Sequence, residues 1–282
     1  MKLVLFDLDG TLINAGLCGV YSLNKAVEIL YGVKPACNAG PLVGNTDLRN
    51  FKYIHKEIFK KNPAPAKFAA IKKKYLELLN VEVAALIKNK KYKPLRGLER
   101  FLKTLQKYKD IKLALATGNF EKAAEIKLTP LGLDKYFPAG GFGDNAAERV
   151  SMLKLAVKNS EKFFKTQFKG CDVFVIGDTH IDVAAAKELG FHSAVVTEAG
   201  LGSAQKLLRA AAELETKDFT DIDLWLMWLG VKSDPKGVEK GSYIMPANAI
   251  EHVFFSRTGI DEQRLKMFKV KKYSDLESGK LI

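Results

Sequence analysis

Residues 2–11, KLVLFDLDGT, decide the fold of this 282-residue chain. Residues 2–6 form a short apolar run bounded by charge and glycine, which is the pattern of a buried strand. Asp7 and Asp9 follow directly. Parallel α/β sheets gather their chemistry outside the carboxyl ends of the strands. Two carboxylates at this position therefore predict a functional site at the end of the first strand.

Further along the chain, strand patterns alternate with helix patterns. Apolar runs at residues 111–116, 172–176 and 192–196 predict strands, with amphipathic segments between them. The last of these segments predicts a helix over residues 204–214. The alternation predicts an α/β fold: a Rossmann-like, mainly parallel sheet with helices on both faces.

A block of helical spacing interrupts this pattern just after the first strand, as an inserted α-helical cap domain would. Beyond Leu229 the pattern dissolves into a linker and short apolar patches at residues 250–255 and 267–270, which are compatible with a hairpin or an arm. The chain therefore divides into a catalytic core, a cap and a C-terminal extension of unknown role: residues 1–13 with 93–229, residues 14–92, and residues 230–282.

Two more predicted strands end in polar loops, TGN at residues 117–119 and GDTHID at residues 177–182. Glycine lets backbone N–H groups approach a phosphate, and a threonine hydroxyl can donate a hydrogen bond to it. Asn119 either donates in the same way or caps the following helix. The loops therefore predict an anion site beside the first strand.

The acids of these loops predict a metal. Asp7, Asp9, Asp178 and Asp182 would place three or four carboxylates at one edge of the sheet, where they repel one another unless a cation lies among them. Oxygen ligands favour a hard ion such as Mg²⁺. Any one acid could be a helix cap or turn residue, but caps do not explain all of them at successive strand ends.

These motifs resemble those of the haloacid dehalogenase superfamily. DLDGT at 7–11, Thr117 after a strand and GDTHID at 177–182 are similar to its motifs I, II and IV, and residues 115–149 resemble its phosphoglycolate-phosphatase-like branch. The resemblance covers residues 1–229. It implies a Mg²⁺-dependent phosphatase that hydrolyses a small-molecule phosphomonoester through a phospho-aspartate intermediate.

The resemblance also implies residue roles. Asp7 would be the nucleophile, and Asp9 the general acid and then the general base. Mg²⁺ would be held by Asp7, the main-chain carbonyl of Asp9, and Asp178. Dehalogenases of the superfamily lack the second aspartate, so Asp9 favours phosphoester hydrolysis. The other motif residues would bind the phosphoryl oxygens (Thr117, Gly118, Asn119) or play a supporting part (Asp182, Gly10, Thr11).

The family's third motif supplies a cation that faces the nucleophile and the transferred phosphate. Its usual signature is absent from this sequence. Arg149, just before a predicted helix, is the first choice for this catalytic role, and Lys154 is the alternative. Lys154 could equally be a solvent-facing helix residue.

The segment GPLVGNTDLR at residues 40–49 resembles a cap loop that faces the active site in this branch. Thr46 and Asp47 precede a predicted helix, so they either cap that helix, contact the substrate, or do both. Arg49 either contacts an anionic substrate or lies on the surface.

The formal net charge of +13 is concentrated in one segment. Residues 14–95 carry fourteen lysines and one arginine against five acids, an excess of ten. Such a surface attracts phosphorylated metabolites or nucleic acid, or is simply solvated. The segment lacks interleaved aromatics and a recognised nucleic-acid-binding module, so a small phosphorylated metabolite is the expected partner. The alternatives are phosphoglucomutase-like phosphoryl transfer, and a nucleic-acid-binding protein or terminal phosphatase that uses the basic cap.

Membrane and disulfide classes are disfavoured. No segment approaches the roughly 20 apolar residues needed to span a bilayer, and the apolar run at the start is too short for a signal sequence. Three cysteines without CxxC spacing argue against a disulfide framework or a structural zinc site. The expectation is a cytoplasmic monomer or dimer.

Overall fold

The computed structural model describes residues 1–34, 42, 44–199, 204–231, 242–244 and 269–271. The strands are short: β1 (Lys2–Phe6), β2 (Ile13–Asn14), β3 (Lys93–Pro94), β4 (Ile111–Ala116), β5 (Gly140–Gly141), β6 (Val173–Gly177), β7 (His192–Val196), β8 (Leu214–Thr216), β9 (Ser242–Ile244) and β10 (Lys269–Lys271). The helices are α1 (Cys18–Tyr31), α2 (Asp47–Phe59), α3 (Pro65–Lys88), α4 (Leu98–Leu105), α5 (Glu121–Leu128), α6 (Arg149–Phe164), α7 (His180–Glu188), α8 (Ala204–Ala210) and α9 (Ile222–Trp228).

Six strands form one parallel sheet in the order β5-β4-β1-β6-β7-β8. β1 lies near its centre, and its side chains alternate between the two faces. Leu3 and Leu5 pack in one hydrophobic cluster, while Val4 and Phe6 pack in another. A strand covered on both faces must be apolar at every position, which explains the unbroken run in the sequence.

The sheet order places the three polar loops side by side. β4 and β6 are the two neighbours of β1, and all three strands run in the same direction. The loops that follow them therefore emerge at one edge of the sheet, as the sequence predicts. The amide of Asp7 also donates to the carbonyl of Ile176 in β6 at 2.9 Å, which fixes the start of the first loop.

A helical region lies between β2 and β3, which pair antiparallel where the chain leaves the core and returns to it. Helices α1, α2 and α3 make up this region. Its aromatic side chains enclose Phe120 from the core, which contacts Phe51, Phe68 and Tyr75 with ring centroids 5.2 to 6.3 Å apart. The predicted α/β fold with a cap-like helical insertion is confirmed, whereas the predicted limits of the domains stay a prediction.

One predicted helix is wrong at its end. The helix predicted over 204–214 ends at Ala210, and Leu214 begins β8, which pairs in parallel with β7. Between them Ala211 has a φ of 51°, a left-handed conformation that stops the helix. The stretch AAELE favours a helix by propensity, and pairing at the edge of the sheet overrides it.

Little of the C-terminal extension is described. The linker at 232–241 and the apolar patch at 250–255 lie outside the described residues. β9 and β10 pair in parallel, with Ser242 opposite Lys269, so these two strands are not a hairpin. In the part of the chain that the structure describes, no helix combines the length and the apolar character needed to cross a membrane.

Candidate active site

The loop after β1 turns sharply to bring its acids to the sheet edge. Gly10 has a φ of 82°, which is unfavourable for residues that carry a Cβ. A Cβ at Gly10 would also overlap the carboxylate of Asp178 in the loop after β6. Glycine at this position therefore allows the two acidic loops to approach each other.

Three buried carboxylates meet at this edge. Asp7, Asp178 and Asp182 each place one oxygen within 4.8 Å of the others. Burial raises the pKa of Asp7 from 3.8 to about 7, Arg149 opposes this rise, and the negative charges of Asp182 and Asp9 add to it. The set is chemically able to hold a divalent cation, since it consists of carboxylate oxygens alone.

Arg149 faces the acids from the first residue of α6. Its Nη1 lies 3.4 Å from Asp7 Oδ1, and its Nε lies 3.2 Å from Asp182 Oδ1. Nη2 donates to the carbonyl of Gly44 at 3.3 Å. The guanidinium is buried, whereas Lys154 is exposed on the same helix. Of the two cations considered for the third motif, Arg149 is the one beside Asp7.

Asp182 is held from behind the cluster. Its Oδ2 accepts from the amide and the hydroxyl of Thr179 at 3.2 and 2.6 Å, and the bond from the amide is part of the capping box of α7. Its other oxygen faces Arg149. These contacts orient the arginine and the start of α7.

The carboxylate of Asp9 turns away from the cluster. Its Oδ2 accepts from Lys127 Nζ at 2.5 Å and from Asn119 Nδ2 at 2.9 Å. Lys127 also donates to Asn119 Oδ1 at 2.7 Å. Of the three or four acids expected at this edge, Asp7, Asp178 and Asp182 form the cluster, and the carboxylate of Asp9 pairs with a lysine.

Lys127 is a functional candidate that sequence reasoning missed. It lies on the face of α5 that also buries Ala123, Ala124 and Leu128. A lysine at a core position of an amphipathic helix is an available signal, because lysine is almost never fully buried unless paired. The signal is weak in a chain so rich in lysine.

Thr117 and Asn119 form the base of the loop after β4. Thr117 Oγ1 accepts from the side-chain Nδ2 of Asn119 at 2.9 Å and from the backbone amide of Asn119 at 3.3 Å. Asn119 therefore does not cap α5, and its side-chain amide links Thr117 to Asp9. Thr117 is fully buried behind the loop, while Gly118 and Asn119 border the cavity. Thr11, from the first loop, is buried as well.

Gly118 is the point where the cap meets the core. Its carbonyl accepts from the amide of Asp47 at 2.7 Å. A Cβ on Gly118 would lie 2.6 Å from the carbonyl oxygen of Asn45 and 3.1 Å from the Cα of Thr46. Only glycine permits this approach, so the loop before α2 rests directly on the loop after β4.

The three cap residues singled out in the sequence have different positions. Thr46 caps α2, with Oγ1 accepting from the amide of Arg49 at 3.3 Å, and it donates to the carbonyl of Ala147. Arg49 is half exposed and pairs with Glu148 at 2.8 Å. Asp47 alone of the three lines the cavity, and its Oδ2 accepts from the amide of Phe120 at 2.9 Å.

A cavity of about 170 Å³ lies between the first loop, the start of α1 and the cap. Its described walls combine carboxylates, two cations and polar cap side chains. They include Asp7, Asp9, Asp178, Lys127, Arg149, Asp47, Asn50 and Tyr75. Asp7, Asp9, Asp178 and Arg149 therefore meet in one cavity, whereas Asp182, Thr46 and Arg49 are not among its lining residues.

Comparison with known proteins assigns the family. The family model described as "Haloacid dehalogenase-like hydrolase" matches residues 4–196, which include all the loops described above. The chain belongs to the haloacid dehalogenase-like hydrolase family. The prediction that it is a hydrolase of this superfamily is thereby confirmed.

Relatives of this haloacid dehalogenase-like hydrolase match most of its length. CbbY from Rhodobacter sphaeroides, solved in complex with phosphate, has a TM-score of 0.62 and 20% identity, over 79% of this chain and 96% of its own. A structure from Haemophilus somnus, described as a predicted phosphoglycolate phosphatase, has a TM-score of 0.59 and 19% identity, over 80% and 97%. A Lacticaseibacillus casei protein described as "Uncharacterized protein in fgs 3'region" is 26% identical, over 79% and 95%.

Proposed function

We propose that the chain is a Mg²⁺-dependent phosphatase that hydrolyses a small-molecule phosphomonoester through a phospho-aspartate at Asp7. The observation that carries this proposal is the setting of Asp7: a buried carboxylate at the end of the central strand, 3.4 Å from Arg149 and bordering a cavity. Asp9, two residues further on, borders the same cavity. A nucleophile, a cation and a second carboxyl group are the parts that two-step phosphoryl transfer to water requires.

The proposed reaction has two displacements at phosphorus. In the first, a carboxylate oxygen of Asp7 attacks the phosphorus, the bond to the ester oxygen breaks, and Asp9 gives a proton to the leaving alcohol. In the second, water attacks the same phosphorus and gives its proton to Asp9. The bond between phosphorus and Asp7 then breaks, so that phosphate leaves and the carboxylate is restored.

The remaining residues bind and orient the phosphoryl group. Arg149 stabilises the ionised form of Asp7, which burial disfavours, and balances the charge of the phosphate. The backbone of Gly118 and the side chain of Asn119 border the cavity and are able to donate hydrogen bonds to phosphoryl oxygens. Thr117 holds the amide of Asn119 in place, at 2.9 Å.

Mg²⁺ fits the donors of this site. The all-oxygen, buried set is matched to a hard divalent ion. The ion would be held by Asp7, Asp178 and the main-chain carbonyl of Asp9. Asp182 would support the site through its contact with Arg149. When bound, Mg²⁺ supplies positive charge that offsets the repulsion between a carboxylate and a phosphate.

A phosphorylated metabolite is the proposed substrate, with phosphoglycolate and sugar phosphates as the first compounds to try. A cavity of about 170 Å³ suits a small leaving group. CbbY was solved with phosphate bound, and the Haemophilus somnus structure is described as a predicted phosphoglycolate phosphatase. Both proteins have this fold, at 20% and 19% identity, and the likeness therefore concerns the fold alone. The identity of the substrate is part of the proposal.

The test is phosphate release from a panel of phosphometabolites, with Mg²⁺ and with EDTA, by wild type, Asp7→Asn and Asp110→Asn. Asp110 is an exposed aspartate before β4 and is the matched control. We expect Asp7→Asn to lower kcat by a factor on the order of 10³ or more, and the control to match wild type. Activity that survives Asp7→Asn, or that ignores EDTA, would contradict the mechanism. Isomerised sugar phosphate without release of phosphate would indicate phosphoglucomutase-like transfer.

A further inference from the structure

Lys127 is a buried cation for which the proposed mechanism has no role. Its side chain is 2% exposed. Fully buried lysine is costly unless its charge is paired. Its partner is Asp9, the proposed general acid and base, and not the nucleophile that the family's third-motif cation faces.

Lys127, Asp9 and Asn119 form a closed triangle of hydrogen bonds. Nζ of Lys127 lies 2.5 Å from Asp9 Oδ2 and 2.7 Å from Asn119 Oδ1, and Asn119 Nδ2 lies 2.9 Å from the same Asp9 oxygen. Oδ2 of Asp9 is therefore fixed from two directions. Oδ1 is buried and has no hydrogen-bond partner among the described residues.

The lysine is itself held in place along its backbone. Its carbonyl accepts from the hydroxyl of Tyr92 at 2.9 Å. At the start of α5, the backbone amide of Phe120 donates to Asp47 of α2, and the backbone amide of Glu121 donates to Asp144. Because the helix is anchored at its start and near its end, the ammonium group has a defined position relative to Asp9.

We propose that Lys127 is a positioning residue that holds Asp9 in the orientation from which it exchanges a proton with the leaving oxygen. It binds one carboxylate oxygen and thereby fixes the rotation of the carboxyl group. Proton transfer depends steeply on geometry, so a carboxyl group free to rotate would protonate the leaving alcohol less often. The proposal rests on the proposed phosphatase function, in which Asp9 protonates the leaving group.

The test compares two kinds of ester. 4-Nitrophenyl phosphate has a leaving group that departs without a proton, whereas an alkyl phosphate from the panel needs one. The measured quantity is kcat/KM. It reports the steps up to and including the departure of the first leaving group, and it excludes hydrolysis of the phosphoenzyme. The variants are Lys127→Met, Asp9→Asn and the double variant. Lys122→Met is the control, a lysine of the same helix that is 59% exposed and paired with Glu125.

We expect Lys127→Met to lower kcat/KM for the alkyl ester by about 10- to 100-fold, and for the aryl ester by less than about threefold. Asp9→Asn should show the same selective loss, and the double variant should be no worse than Asp9→Asn, since the two residues act as one unit. Lys122→Met should match wild type on both esters.

Equal losses on the two esters would overturn the proposal in favour of a structural role. A loss confined to KM, or additive losses in the double variant, would overturn it in favour of direct contact with the substrate. If Lys127→Met fails a thermal-unfolding check, Lys127→Leu, which likewise removes the donor, replaces it and must show the same selectivity.

A second measurement does not depend on activity. In a crystal structure of the Lys127→Met chain, we expect the Asp9 carboxylate to move by more than about 1 Å from its wild-type position, a shift large enough to impair catalysis. An unmoved carboxylate would overturn the proposal. If wild type releases phosphate from no ester, the proposed function fails, and this structural measurement still decides whether Lys127 positions Asp9.

Discussion

Arg149 and Asp7 form the buried charge pair on which the candidate site depends. The cost of removing Asp7 from water is the largest influence on its pKa, and Arg149 is the largest influence in the opposite direction. The guanidinium is committed to two carboxylates and one backbone carbonyl, so it is held rigidly. A fixed cation of this kind lowers the cost of placing a second anion, the phosphate, beside the carboxylate.

Replacement of Arg149 tests which cation fills this place. We expect Arg149→Met to lower kcat by about 10²- to 10³-fold, because Asp7, the proposed nucleophile, loses the charge that favours its ionised form. Lys154 lies on the exposed face of the same helix, four residues before Lys158. Lys154→Met should therefore retain wild-type kcat. Steady-state kinetics with the best substrate of the panel provides the measurement. A large loss in Lys154→Met with little change in Arg149→Met would reverse the assignment.

Much of this arrangement was predictable from single residues. Asp7, Asp178 and Asp182 could be expected to meet because parallel neighbouring strands end at the same edge of the sheet. The departure of Asp9 toward Lys127 could not, because the partner lies on a helix and its burial depends on how that helix packs. In a sequence with 45 lysines and arginines, one more lysine carries little information.

At the scale of elements, α5 is the contact between core and cap. Its preceding residue, Phe120, enters the aromatic cluster of α2 and α3, and the amide of Phe120 donates to Asp47 of α2. Lys72 of α3 pairs with Asp144 at 2.5 Å, which in turn accepts from the amide of Glu121. The cap thus helps to satisfy the backbone groups at the start of a core helix.

Asp47 predicts a pH dependence of stability. Burial raises its pKa from 3.8 to about 6, with Lys127 and the Phe120 amide opposing the rise and Asp9 and Asp144 adding to it. The folded chain therefore binds more protons than the unfolded chain between these values. Stability falls as pH rises through this window, and the loss is complete above about pH 6.

Asp47→Asn isolates this effect, because asparagine keeps an acceptor for the Phe120 amide and cannot ionise. From pH 4 to pH 7, we expect the free energy of unfolding of wild type to fall by about 2 kcal/mol relative to the variant. Urea unfolding at pH 4, 5, 6 and 7 measures it, with Asp110→Asn as the exposed control. A constant difference between wild type and Asp47→Asn would show that Asp47 titrates normally, and a rise in favour of wild type would give the opposite sign.

The elements themselves were predictable to different degrees. β1, β4 and β7 carry apolar runs that only a buried strand explains, and the structure has them close to where the sequence places them. The predicted helix over 204–214 extends into β8 at Leu214, and the strand pairing of β8 with β7 depends on a neighbour distant in sequence. Local pattern therefore identifies the central strands better than the edge strand.

For the whole molecule, the described residues up to Val231 contain the complete six-stranded sheet and every residue of the candidate site. Trp225, Trp228 and Leu229 are buried near the end of this part and complete its core. The positive charge concentrated in residues 14–95 lies within the same part. We therefore expect the residues after Val231 to be dispensable for catalysis.

A chain that ends at Val231 tests this expectation against the full chain. It should keep kcat/KM within about twofold and lose less than about 1 kcal/mol of stability, because all the core side chains described up to Val231 are retained. Circular dichroism melting and the phosphate-release assay give the two values. A loss of activity above about tenfold with an unchanged melting temperature would assign the extension a part in the reaction.

The hydrogen bond from the Phe120 amide to Asp47 has a consequence for protein engineering. Exchange of whole caps between relatives is an obvious way to transfer substrate preference, and it assumes that the insert is a separable module. Here the insert carries an acceptor that belongs to a core helix. A grafted cap without an acidic or amide side chain at the position of Asp47 would leave the start of α5 frayed. Lys127, which lies on that helix, would then be displaced. Chimeras of this chain should therefore be designed with Asp47 and residues 117–128 inherited together.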